Sequence, residues 1–165
     1  MPSSCRLAWL LDLGDTMNVG KLCTVDTVCC ARGETIQAAA LLMRKHHVGD
    51  VVVVDDPDGE RTPVGILTDR DIVVSVVALG LDPLGLLAGD VMSDDLLLAE
   101  AGDDVDATIE RMRLRGIRRV PVVGEGGRLV GIVSADDLLG WLAEEMNELA
   151  RISPHQQQHE RQARR

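Results

Sequence analysis

Aromatic side chains are almost absent: two Trp and no Phe or Tyr, 1 % of 165 residues. The core must therefore be aliphatic, drawn from Val, Leu, Ile, Ala and Met. The same shortage removes the rings on which single-stranded nucleic acid stacks. Positive charge is also scarce. With 17 Lys and Arg against 27 Asp and Glu, the net charge is −10. That balance argues against a nucleic-acid duplex or an anionic membrane surface as partner. Small anionic ligands stay open, because a local pocket can be positive in an acidic chain. No apolar run is long enough to span a bilayer. Residues 7–13 (LAWLLDL) are apolar but short, Asp12 interrupts them, and their flanks do not read as a secretion signal.

Cysteine is confined to the first thirty residues, as Cys5, Cys23, Cys29 and Cys30, with no CxxC spacing. The vicinal Cys29-Cys30 pair does not suit a bridge in a strand. A disulfide framework is not expected, and a reduced, cytoplasmic setting fits best. These thiols with His46 and His47 match no familiar zinc ligand set, so no metal site is expected. Cys29 or Cys30 reads as a small core hydrophobe.

What the chain does have is one heptapeptide, twice. Residues 65–71 read GILTDRD and residues 131–137 read GIVSADD. Both follow one pattern: Gly, two aliphatics, a hydroxyl residue, two variable residues, Asp. A short apolar strand ends in Thr68 or Ser134, which suits a helix cap. Asp71 or Asp137 then falls in the first turn of that helix. Such a pair has two readings: a cap whose acid complements the helix dipole, or a cradle that holds a phosphate and a ribose diol together.

The repetition extends well beyond the heptapeptide. Gly20 matches Gly89, Ile36 matches Val105, Met43 matches Met112 and Val51 matches Val120, each offset by 69 residues. Past the next turn, Gly65 matches Gly131 and Asp71 matches Asp137, each offset by 66. The change in offset falls where DDPDGERTP is replaced by the shorter GEGGRL, in the kind of Gly/Pro/Asp turn that tolerates it. Each unit predicts a short helical piece (19–23; 89–92), a short strand (about 27–30; 96–99) and an amphipathic helix. That helix carries Ile36, Ala39, Ala40 and Met43, or Val105, Thr108, Ile109 and Met112, at i, i+3, i+4, i+7. A buried-looking strand follows (51–54; 120–123), then a third strand (64–67; 129–133) and a closing helix from Asp69 or Ala135. The fold class is α/β: two β-α-β-β-α repeats packed with pseudo-twofold symmetry.

The organisation is then an extension over residues 1–17, a first repeat over 18–80, a linker over 81–87, a second repeat over 88–149 and a tail over 150–165. The extension has no later counterpart. Either Met17 is the natural start, or residues 7–13 dock on the module or a partner. The tail from Pro154 (PHQQQHERQARR) is polar and without periodicity, and is expected to be disordered.

Tandem β-α-β-β-α units, each with G-h-h-[ST]-x-x-[DN] between last strand and last helix, resemble paired cystathionine-β-synthase (CBS) domains, the Bateman module. The runs GIRRVPVV (116–123) and TDRD (68–71) are also common in that family. The resemblance covers roughly residues 18–146. It implies two clefts between the halves that bind adenosine-containing ligands: AMP, ADP, ATP, S-adenosylmethionine or NAD. It also implies a homodimer. By resemblance, Asp71 and Asp137 hold ribose hydroxyls, and Thr68 and Ser134 bind phosphate or ribose oxygens. Middle-strand aliphatics at 51–53 and 120–122, among them Val52 and Pro121, line the adenine slot. Cys23-Thr24 and Met92-Ser93 supply backbone contacts.

The two sites are expected to be unequal. The second middle strand brings Arg118 and Arg119 where the first has Gly49 and Asp50. The arginines read either as phosphate ligands or as partners for the many acids. Asp50 would repel phosphate if it faced a cleft. No nucleophile elbow, HExxH, Walker loop or GxGxxG is present, and His46-His47 reads as a polar helix end. The expected function is a non-catalytic regulatory module with no obligatory cofactor, acting on an unknown partner protein. The alternatives are an interaction module without ligand and a small metal- or thiol-dependent protein. Trp141, one helical turn after Asp137, is expected to report on the second cleft.

Overall fold

The computed structural model describes residues 17–56 and 59–163. Cys5 and residues 7–13 lie outside the described residues. The elements run α1 (Val19–Leu22), β1 (Cys29–Ala31), α2 (Ile36–His46), β2 (Asp50–Asp55), β3 (Thr62–Thr68) and α3 (Asp69–Ile72). They repeat as α4 (Ala88–Val91), β4 (Ala99–Glu100), α5 (Val105–Arg115), β5 (Arg119–Val123), β6 (Leu129–Ser134) and α6 (Ala135–Ala163). Two three-stranded sheets result, β1-β2-β3 and β4-β5-β6. In each, the first pairing is parallel and the second antiparallel. The expected α/β class and doubled architecture are what the chain adopts.

Local chemistry sets the helices. Thr35 caps α2, accepting from the Ala38 amide at 3.2 Å, and Asp104 caps α5, accepting from the Ala107 amide at 3.0 Å. The helices bury Ile36, Ala39 and Met43, or Val105, Thr108 and Met112, along one stripe. They end on left-handed residues, His47 at φ 56° and Gly116 at φ 65°. His46 and His47 therefore form a helix end, as read.

Each half borrows its first helix from the other. Val19 and Cys23 belong to the core that contains Val120, Val133 and Leu138. Ala88 belongs to the core with Ile36, Val51 and Leu67. Main-chain bonds fix both crossings: Gly20 N–H to Ala101 C=O at 2.9 Å, and Gly89 N–H to Arg32 C=O at 3.0 Å. Glycine is required at the entry points. A Cβ on Gly20 would meet the Ala101 carbonyl oxygen at 2.7 Å. A third cluster, built on Val52, Val54 and Leu129, ties the two sheets together.

Three details depart from expectation. The helix after β3 does not stay regular, because Val73–Val77 winds as a π-helix. Four of its five residues are β-branched valines, which crowd a tight helical turn. The closing helices repeat Ile72, Val73 and Val76 as Leu138, Leu139 and Leu142, a pattern that predicts one buried face, yet only Val76 and Leu138 are buried while Val73, Leu139 and Leu142 are 55 %, 63 % and 48 % exposed. The tail expected to be disordered continues α6 to Ala163. Its Gln, Glu, Arg and Ala residues are strong helix formers, which hold a helical backbone without any apolar periodicity.

Candidate functional site

Both heptapeptides fold as strand, cap, helix. The Thr68 hydroxyl donates to Asp71 Oδ2 at 2.6 Å, the Thr68 amide donates to the same oxygen at 2.9 Å, and the Asp71 amide returns a bond to Thr68 Oγ1 at 3.2 Å. In the second copy the distances are 2.6, 2.8 and 3.1 Å for Ser134 and Asp137. These are reciprocal capping boxes. The capping reading is thus realised at both positions. Both capping bonds that each carboxylate accepts fall on Oδ2, so Oδ1 is the oxygen it can offer to a ligand.

The caps open into two different clefts. The first has a volume of about 250 Å³. Ile66, Thr68 and Asp71 from the first half face Ser93, Leu97, Ile117, Arg118 and Arg119 from the second. The other has a volume of about 190 Å³, where Ile132, Ser134 and Asp137 face Thr24, Val28, Val48 and Asp50. The segment after each borrowed helix closes the opposite half's cleft. Ser93 pairs with Ile66 through main-chain bonds of 2.9 and 3.1 Å, and Thr24 pairs with Ile132 through bonds of 2.8 and 3.0 Å. They are the segments, Cys23-Thr24 and Met92-Ser93, to which the resemblance assigns backbone contacts. Asp95, Leu96, Asp26 and Thr27 also line the clefts and were missed, since nothing in their local pattern marks them.

Val52 and Pro121 do not line either cleft. Val52 is 0 % exposed, and Pro121 is among the fully buried side chains. Middle-strand side chains at these positions point between the two sheets, where they have no free surface for a base. The aliphatic walls come instead from their strand partners, Ile66 opposite Val52 and Ile132 opposite Pro121.

The arginines divide. Arg118 lines the first cleft and pairs with Asp136 at 3.1 Å, with both side chains about 70 % exposed (71 % and 70 %). Arg119 lines both clefts and forms an ion pair with Asp50, Nε to Oδ1 at 2.8 Å. Asp50 and Arg119 occupy equivalent positions of the two repeats, opposite Thr68 and Ser134 in their sheets. Burial raises the Asp50 pKa above its ordinary value, Arg119 pulls it back down, and Asp69 adds to the rise. Arg70 lies exposed outside both clefts.

Trp141 does not face the second cleft. It lines a separate apolar groove between α5 and α6, with Ile109, Met112 and Leu138. Its indole nitrogen is buried there without a hydrogen-bond partner. Among the described residues no group of three or more His, Cys, Asp and Glu is arranged to hold a metal ion. Cys23, Cys29 and Cys30 are free thiols. No helix among the described residues is long and apolar enough to cross a membrane.

Two borrowed helices, two capped clefts and a twice-written strand–cap–helix motif define a paired α/β fold, and the family comparison agrees. The CBS domain family model matches residues 19–78 and 88–144. The chain belongs to the CBS domain family. It is 38 % identical over 130 residues to hypoxic response protein 1 of Mycobacterium tuberculosis, covering 79 % of this chain and 84 % of that protein. It is 36 % identical over 124 residues to an uncharacterized protein of Methanopyrus kandleri, covering 75 % of this chain but only 62 % of that protein's length. Among solved structures it resembles a CBS domain protein from Pyrobaculum aerophilum complexed with AMP. There the TM-score is 0.67 at 30 % identity, over 74 % of this chain and 90 % of that one. It also resembles a CBS domain pair in complex with 5′-methylthioadenosine and S-adenosyl-L-methionine. That match has a TM-score of 0.66 at 25 % identity, over 79 % of this chain and 98 % of that one.

Proposed function

We propose that this protein is a non-catalytic sensor of adenosine-containing ligands. AMP, ADP, ATP, S-adenosylmethionine and NAD are the candidates. The observation that carries the reading is the placement of a hydroxyl–carboxylate pair at the mouth of each of two clefts shared by the halves. Oδ1 of Asp71 and of Asp137 accepts from a ribose diol, a charge-assisted arrangement. Thr68 and Ser134 contact ribose or phosphate oxygens, and Arg118 and Arg119 add cations to the first cleft. The ligands bound by the Pyrobaculum protein and by the second neighbouring pair support an adenosyl ligand.

The working units are a first repeat over 18–80, a linker over 81–87 and a second repeat over 88–149. The protein acts as a homodimer, which the exposed aliphatic stripe of Leu139, Leu142, Met146 and Leu149 on α6 supports. Ligand occupancy biases the packing of that dimer, and a partner protein reads the difference. No cofactor is required, and the free thiols fit a cytoplasmic setting.

One observation favours a second reading, an interaction module without ligand. Thr68, Asp71, Ser134 and Asp137 already satisfy one another in the capping boxes. Calorimetry of the full chain with AMP, ADP, ATP, S-adenosylmethionine and NADH separates the two. Binding tighter than about 1 mM, roughly −4 kcal/mol, supports the sensor. Silence with every ligand at that concentration sinks it.

A further inference from the structure

The two clefts carry different charge. The first is lined by two acids, Asp71 and Asp95, and two arginines, Arg118 and Arg119. Asp95 is already balanced by Arg115 at 2.6 Å. The pair between Arg118 and Asp136 is exposed on both sides, so exchange of Asp136 for a phosphate costs little. The second cleft is lined by three acids, Asp26, Asp50 and Asp137, and by Arg119 alone.

That single cation is committed. Arg119 Nε forms an ion pair with Asp50 at 2.8 Å, and the Asp50 side chain is only 12 % exposed. A carboxylate so little exposed does not release its counter-ion readily, because it would be left unpaired. Arg119 still has terminal nitrogens to turn toward the first cleft, since a guanidinium carries five N–H donors. A phosphate entering the second cleft would therefore meet Asp26 and Asp137 with no free cation among the described residues that line it. Like charges placed against a ligand exclude it as effectively as missing contacts do.

We propose that the clefts take adenosyl ligands of opposite character: the first a nucleotide, held through its phosphate by Arg118 and Arg119, the second a compound without phosphate, uncharged or carrying a cationic sulfonium. This rests on the sensor reading above and adds the ligand class of each cleft. Arg119 and Asp50 are the discriminating pair. The second cleft rejects nucleotides because Asp50 withholds Arg119 while Asp26 and Asp137 stay unneutralised, and those two acids attract a sulfonium.

Calorimetry and competition on the full-length chain test it, with AMP, 5′-methylthioadenosine and S-adenosylmethionine as probes. AMP is expected to fill one site per chain. S-adenosylmethionine and 5′-methylthioadenosine are each expected to bind the AMP-saturated protein at one further equivalent. Asp50→Asn is expected to admit a second AMP and to weaken S-adenosylmethionine at least tenfold on the AMP-saturated chain. Asp26→Asn, at an exposed position, shifts both affinities in the same direction by less and serves if the buried substitution disturbs folding. Two AMP sites of like affinity in the unaltered chain would overturn the assignment while leaving the sensor reading intact. So would AMP displacing all of the bound 5′-methylthioadenosine. No heat with any probe overturns the sensor reading and this inference together.

Discussion

Ser134 and Asp137 hold each other at 2.6 Å, hydroxyl to carboxylate Oδ2, and the Asp137 amide closes the ring by donating to Ser134 Oγ at 3.1 Å. The pair therefore has a structural duty and a proposed binding duty in the same two side chains. Asp137→Ala is expected to lower stability by about 1 kcal/mol, the usual value of a helix cap. It is also expected to abolish ligand binding in the second cleft and to leave the first largely intact. Thermal denaturation and calorimetry on one preparation separate the two losses. A variant that loses the cap but keeps two full sites removes Asp137 from the binding role.

Asp50 offers a pH signature. Its folded pKa lies above the ordinary 3.8, chiefly through burial. The folded state thus holds this proton more tightly than the unfolded chain does. The stability this contributes is fully present below pH 3.8 and is lost as pH rises through the folded value. The stability of the unaltered chain relative to Asp50→Asn should fall with pH over that window and be flat on either side. Denaturant titrations at a series of pH values measure it. A difference that rises with pH would mean that Arg119, not burial, governs the group.

Cys30 gives the alkaline counterpart. Burial, then the charges of Glu34 and Cys29, raise its thiol from 9.0 to about 11. Stability present below pH 9.0 should drain as pH climbs toward about 11, and Cys30→Ala should remove the Cys30 share of that slope, leaving the shares of Cys23 and Cys29, whose thiols burial also raises. At neutral pH the thiol stays protonated and 2 % exposed, so alkylation of Cys30 should require unfolding. Mass spectrometry of the alkylated native protein checks this.

Gly131 tests the borrowed segment. A Cβ there would lie 2.7 Å from Cys23 Sγ and 2.8 Å from the Thr24 carbonyl oxygen. Gly131→Ala is expected to cost about 1–3 kcal/mol as overpacking and to weaken the second cleft by displacing Thr24. Gly33→Ala, with nothing within 4 Å of the added Cβ, should show neither effect. Chemical denaturation of the two variants decides it.

Much of this was legible in the sequence. The doubled pattern, with Ile36 and Met43 echoed by Val105 and Met112, foretold the two halves and their helices. The heptapeptides foretold both caps. Three things were not legible. Val52 and Pro121 alternate with Val51, Val53, Val120 and Val122, which are buried in the two helix-covered cores; that the opposite face of each middle strand is covered too is set by how the two sheets pack, not by composition. The crossing of α1 and α4 is a long-range choice: Val19 and Ala88 look equally suited to either core until the cores exist. The pairing of Arg119 with Asp50 joins equivalent positions 69 residues apart, and it emerges only when pseudo-symmetry brings them together.

The exchange of α1 and α4 has a consequence for how the molecule comes apart. Val19 and Ala88, each 0 % exposed, plug cores that their own repeats do not build. Pulling either plug opens a hole in one half and strands an apolar helix on the other. The two repeats should therefore melt as a single unit, with calorimetric and van't Hoff enthalpies equal, although each looks self-sufficient on paper. A fragment ending in the linker would keep most of the first core but not the Ala88 helix that seals it. Duplication gave this chain two copies of a domain, and the exchange of one helix apiece made them a single folding entity.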